Sequence, residues 1–346
     1  MSENTEPRQK LTIRRQHYVP RSYLCYFASS AEEDKGCIWT YDKKGGPPRL
    51  QSIVNSAVEK DIYSLRDSAP ESPDYIETEI MTPVENAALS ILNRLRNGEI
   101  GVFESPEFMK VIAFMALLHL RVPKTIEVAK EFVEAGLREY MRLIGEDPQK
   151  MKELFEKREK DKGSASVLSE TQLADALRFS ESHIKIEAKK EYVLGNILPQ
   201  FSEIGKHLVQ LNWSLCSTPE KSFFITSDVP LVVFCPFGEG RAKFGTGFAL
   251  PDVQIHLPLT PNMCLFGARY MTATEWKMTK AEVDQANTRS IYSGHRFVFS
   301  PFKSNRIGKI VTKAALSNQG IRINKEVIRE QLKAHIKNVD SKEAGS

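Results

Sequence analysis

Two hydrophobic periods divide this chain. Between about Pro73 and Leu211 apolar side chains recur every three to four residues, whereas from Trp213 onward they gather in short runs broken by turn residues. One regular element cannot carry both periods, so helices and strands are segregated along the chain and the expected fold is α+β. A large central helical region, 74–211, should pack with a carboxy-terminal, mainly antiparallel sheet region, 213–300, and with a small amino-terminal β-containing segment.

The helical part has its own landmarks. Ile76, Ile80, Val84, Ala87, Ile91 and Leu95 mark one apolar stripe. Pro83 interrupts it, and Thr82-Pro83-Val84-Glu85 has the spacing of a capping box, so a helix is expected to restart there with Glu85 satisfying backbone amides. Glu77, on the short helix before it, has no such role. The helix after Ser105-Pro106 is apolar almost all round and should be central. It stops at Arg121-Val122-Pro123, where Arg121 either complements the helix dipole or clamps an anion. Lys124–Ile144, Gln149–Lys162, Glu170–Leu198 and Gln200–Leu211 continue as helices, with Gly163–Ser166 as a linker.

Strands are expected at 213–217, 223–226, 231–235, 254–259, 264–267 and 296–300, and at the amino end at 37–42 and 50–54. Thr226-Ser227-Asp228 delivers an acid to the end of a buried strand. The glycine-rich loop Gly238–Gly247, with Arg241 and Lys243, has no phosphate-loop spacing and no helix behind it, so it reads as a loop.

Near the amino terminus Gln16-His17-Tyr18-Val19-Pro20-Arg21-Ser22-Tyr23-Leu24 sets a histidine, an arginine and two tyrosines around a proline. Pro20 makes Val19 extended and suits a first helical turn, so His17 and Tyr18 should lie on an extended lead-in to a short helix, 21–27. Tyr23, Leu24 and Phe27 would bury one side of it and leave Arg21 facing whatever His17 faces. Asn55, Glu59 and Asp61 form a second polar cluster.

Composition and charge set outer limits. At 346 residues, 41% apolar and 27% charged, the chain has the balance of a globular protein. A polar start and a longest apolar run of only Val111–Leu120 argue against a membrane span and for the cytoplasm. Five scattered cysteines without a CxxC pair suggest neither disulfides nor a thiolate zinc site. Both ends are basic: residues 301–346 carry ten Lys/Arg against four Asp/Glu, and residues 1–24 five against two. The expected organisation is a flexible basic arm (1–15), one integrated domain (16–300) and a basic helical tail (301–346), with nucleic acid or a nucleotide as the partner such ends suit.

QHYVPRSYL, Asn55 followed by EKDIY, the paired Glu77 and Glu85, RVP at 121–123, ITSDVP at 225–230, PLTP at 258–261 and Asn287 through Tyr292-Ser293 together resemble the bacterial family catalogued as domain of unknown function 4238. The resemblance covers roughly residues 14–300. This chain carries SDVP and RVP where the family pattern reads SDNP and RTP, and the family implies no activity. The residue types leave three readings open. Asp61, Glu77 and Asp228 offer hard oxygen ligands that suit Mg²⁺ or Mn²⁺, with His17 as general base or a further ligand and Arg21 and Arg121 holding a phosphate. That set would serve metal-dependent phosphodiester hydrolysis by a nuclease in host defence. Alternatively the same charges form a buried ion-pair network in a non-catalytic binding or sensing module for nucleic acid, nucleotide or protein. The third reading is a metal-free nucleotide transferase holding its ligand with Arg21, Arg121 and Asp228. HExxH, serine-elbow and P-loop signatures are absent.

Overall fold

The computed structural model describes residues 15–29, 32, 35–65, 69, 72–162, 169–178, 185–236, 247–317, 326 and 328–334. The expected arm before residue 15, the linker Gly163–Ser166, Arg241 and Lys243 lie outside the described residues, as does much of the expected tail. The chain divides into two compact units, Met1–Ile126 with Leu194–Asn318, and Glu127–Val193 with Gln319–Ser346. The second contains most of α4 (Pro123–Glu146), then α5 (Pro148–Lys162) and α6 (Glu170–Arg178), with α5 packed on α6. α7 (Lys190–Ile197) follows residues 185–189, which are not helical, so the helix expected over 170–198 is not continuous.

Every strand among the described residues lies in the first unit. Its largest sheet has the order β10-β5-β9-β8-β7, built from Glu275–Lys277, Asn212–Ser217, Met263–Ala268, Gln254–Pro258 and Val232–Phe234. It is antiparallel except for β10, which runs parallel to β5 and has too short a run to announce itself in sequence. The second sheet has the order β3-β2-β11-β6: Arg49–Ser52, Cys37–Asp42, Phe297–Ser300 and Thr226–Ser227. The amino-terminal hairpin is therefore not a separate β segment, because Trp39–Asp42 pairs with Phe297–Ser300. β6 is shorter than the strand expected over 223–226. Its approach is replaced by a side chain: Asn287 accepts from Ile225 N at 3.0 Å and donates to Phe223 O at 2.8 Å.

The α9 helix (Lys280–Ser293) is opened by a complete capping box between Thr279 and Glu282 and packs against both sheets. Val283 and Ala286 join Cys216, Phe224, Cys264 and Phe266 in one core, while Ile291 joins Tyr41, Ile225 and Val298 in another. α10 (Asn305–Leu316) adds Ile307, Val311 and Ala314 to that second core, three residues on one helical face.

The helical layer contains a correction. Residues Ile76–Met81 form a π-helical turn that runs without a break into α2 (Thr82–Arg96), and Thr82 is itself helical with no capping bond. Its N–H and its hydroxyl both donate to Glu77 O, the hydroxyl at 2.8 Å. The wider turn inserts one residue, so the buried face is Ile76, Met81, Ala88, Ile91, Leu92 and Leu95 rather than the stripe through Ile80, Val84 and Ala87. The expected capping role of Glu85 disappears with the break. α3 (Phe108–Leu120) is buried nearly all round, as its composition demands, between α2 and α8 (Gln200–Val209).

Candidate functional site: a buried ionic network beside a basic helix face

The opening stretch folds as its proline dictates. Arg15–His17 forms β1, paired with β4 (Val58–Lys60), and Tyr18 N donates to Ala57 O at 3.0 Å. Pro20 then leads into α1 (Arg21–Leu24) and one 3-10 turn, Cys25–Phe27. Tyr23 fastens this piece to the sheets: its hydroxyl donates to Pro258 O at 2.6 Å and lies 2.9 Å from Thr226 Oγ1. Two non-glycine residues with left-handed backbone, Ala57 (φ 50) and Asp61 (φ 56), bracket β4.

Arg121, at the end of α3, is the hub on one side. It is 4% exposed, and its guanidinium donates to the Glu85 carboxylate and to His17 O. Its own carbonyl accepts from the Tyr63 hydroxyl. The arginine is thus not a dipole complement but a cross-brace between α3, α2 and the β1 lead-in. Losing one partner of such a buried pair costs about 3–5 kcal/mol, because the other charge is left uncompensated. Burial raises the Glu77 carboxyl and the neighbouring Glu85 and Asp74 add to it, while Arg121 and the Gln16 amide pull the other way. Gln16, wholly buried, accepts from Tyr63 N at 2.8 Å. Its amide nitrogen lies beside Glu77 without a well-formed hydrogen bond, and Arg121 Nε also has none. His17 Nε2 lies 3.1 Å from Val54 O, and burial first, then Arg21, Arg15 and Arg121, hold its pKa below the ordinary value.

Asp228 is the hub on the other side. Its Oδ1 accepts from His295 N, and its Oδ2 from Arg296 N and Phe297 N, each at 2.7 Å. Burial pushes this carboxyl up while the three amides and His295 oppose it. Three donors and no acceptor match the ionised form. The same turn is held by its carbonyls: Lys43 donates to Tyr292 O and Gly294 O, and Lys124 to Ser293 O at 2.8 Å. These lysines supply cations to the carboxyl end of α9. Burial lowers both, Lys43 to about 8. Arg296 closes the cluster on Asp42, through Nε and Nη2 at 3.1 and 2.8 Å.

Of the residues nominated from sequence, His17, Glu77, Glu85 and Arg121 come together. Asp228 is a separate hub, whose charge is felt by Tyr18, where burial and then Asp228 hold the hydroxyl proton more tightly, and by Lys124, three residues beyond Arg121. Arg21 opens α1 four residues after His17, whose pKa its charge helps to lower. Asp61, Glu77 and Asp228 are not assembled as a ligand set, and among the described residues no three His, Cys, Asp or Glu side chains are placed to hold a metal ion. Tyr18 and Tyr63 lie inside the motifs QHYVPRSYL and EKDIY but receive no role in the site from sequence, and Lys124 directly follows RVP, whereas Lys43 sits in a turn that reads as solvated.

A second chemical feature lies on the same unit. Residues 301–317 contain Lys303, Arg306, Lys309 and Lys313 and no acid. All four are exposed; Arg306, Lys309 and Lys313 are on α10, away from the buried Val311, and Lys303 precedes the helix, 5.3 Å from the centre of the Trp39 ring. Phe302, 58% exposed, stands at the amino end of this row.

The sequence model of a family described as a protein of unknown function, DUF4238, matches residues 15–304. No curated protein and no solved structure matches the chain. Among the described residues no helix is long and apolar enough to cross a membrane.

Proposed function

The chain belongs to the DUF4238 family, whose description carries no activity, and from the geometry we propose that it is a non-catalytic nucleic-acid-binding module. In this reading the buried ionic network is scaffold. Arg121 is spent on Glu85 and a carbonyl, Asp228 on three amides, and His17 on Val54 O, so these three of the groups nominated for metal-dependent hydrolysis are already committed to the fold. The observation that carries the binding reading is the exposed cationic row Lys303, Arg306, Lys309 and Lys313, in which Arg306 alone meets an acid, Asp284, and which ends in exposed Phe302. A row of this kind neutralises successive phosphates, and an exposed ring offers a stacking surface.

The test is fluorescence anisotropy with labelled single- and double-stranded oligonucleotides over a salt series. Each phosphate contact on a single strand contributes about −0.7 to the slope of log K against log salt, so Lys309→Ala with Lys313→Ala should flatten it by about 1.4. Binding with an unchanged slope in that variant, or no binding by the wild type, refutes the reading.

A further inference from the structure

Beside the basic row, the loop 221–223, α9 and the start of α10 enclose a cavity of about 210 Å³. Its lining includes Lys221, Lys280 and Arg306 against one carboxylate, Asp284, which Arg306 meets at 2.8 Å. Three cations and one anion leave a local charge of +2. Ser304, the side-chain cap of α10, also lines it, so the positive end of that helix dipole adds to the same field. Lys221, which lines the cavity, holds a left-handed backbone (φ 62), a strained conformation for a lysine. Phe223 lines the cavity and packs edge-on against Phe302, ring centroids 5.2 Å apart.

Resting on the nucleic-acid reading, we propose that this pocket receives the terminal phosphomonoester of a single strand, with the terminal base on Phe302. The charge decides between a terminal and an internal phosphate. A phosphomonoester carries about −1.5 to −2 at neutral pH, matching the pocket, while an internal diester carries only one charge. Size agrees, since a space of about 210 Å³ admits one phosphate and part of a sugar but no folded polymer segment. Asp284 then has a role, because it holds Arg306 at the cavity and can accept a hydrogen bond from a sugar hydroxyl.

The experiment compares oligonucleotides identical except for a phosphate or a hydroxyl at the end, with a nucleoside monophosphate and inorganic phosphate as competitors. The wild type should prefer the phosphorylated end by at least about tenfold, the worth of one charge-assisted hydrogen bond. Lys221→Ala with Lys280→Ala should lose that preference and keep the hydroxyl-ended affinity, which rests on Lys309 and Lys313. Phe302→Ala should weaken the mononucleotide and leave inorganic phosphate unchanged. Equal affinity for both ends overturns the pocket while the binding module stands. A mononucleotide that binds through Lys221 and Lys280 when no oligonucleotide does keeps the pocket and sinks the polymer reading. Binding of neither overturns both.

Discussion

Replacing Asp228 by asparagine separates an anchoring acid from a catalytic one. The substitution keeps the shape and removes one acceptor. With its oxygen turned to the Arg296 and Phe297 amides, the asparagine retains two of the three bonds and sets an NH₂ group against His295 N. The opposite rotamer loses two bonds, so the first is the one to weigh. A hydrogen bond to a charged group contributes about 1.5–3 kcal/mol, and an orphaned buried amide costs about 1–3 kcal/mol. Against this, a neutral side chain escapes the burial that pushes the Asp228 carboxyl up. The net loss should therefore be about 2–3 kcal/mol. All three tryptophans, Trp39, Trp213 and Trp276, lie on strands of the first unit, so urea unfolding followed by tryptophan fluorescence reports that unit alone. With a urea slope of about 2 kcal/mol per molar, the midpoint should fall by about 1–1.5 M. An unchanged midpoint, accompanied by loss of oligonucleotide binding or of any hydrolysis, would show that Asp228 faces a ligand and would refute the scaffold argument.

Glu85→Gln should cost about 3 kcal/mol by leaving the Arg121 charge buried, and Glu85→Leu with Arg121→Met should recover much of it; a double variant as unstable as the single one would contradict the pairing. Burial lowers His119 to about 4 and His256 to about 3, so between pH 6.5 and 4 the unfolded chain binds protons that the folded chain refuses. Stability should be fully present above pH 6.5 and fall as pH drops, by up to about 1.4 kcal/mol per pH unit for each histidine, and His256→Gln should reduce that slope in urea midpoints taken at pH 7, 5.5 and 4.5. A Cβ at Gly294 would lie 3.0 Å from Ser227 Cβ and 3.3 Å from Asp228 Oδ1, so Gly294→Ala should destabilise by about 1–3 kcal/mol, read by the same fluorescence assay. Tyr63→Phe removes a buried donor from Arg121 O and should cost about 1–2 kcal/mol in thermal or urea unfolding.

How much of this was legible in advance depends on the range of the physics. Pro20 set the lead-in and the short helix at 21–27, and the all-round apolar surface of 108–120 placed α3 in the middle, because both follow from local conformation and composition. The Thr82–Glu85 capping box failed because a neighbouring π turn kept the backbone helical across Pro83 and redirected Glu85 to Arg121. Asp61, Glu77 and Asp228 were sound as costly charges and unsound as a metal set, since burial cost says that partners exist and not which ones.

The sequence alone determined that helices and strands would be segregated, that the helix over 108–120 would be buried nearly all round, and that the ends would be basic. Period, proline positions and charge counts act over a few residues and survive in any conformation. Only the tertiary structure decided that β2 would pair with β11, that Arg296 would close on an aspartate 254 residues away, and that Asp228 would hold backbone amides instead of a metal ion. Those outcomes depend on which distant groups arrive at hydrogen-bond distance. A carboxylate's chemistry is set by the donors that reach it, and no local pattern encodes them.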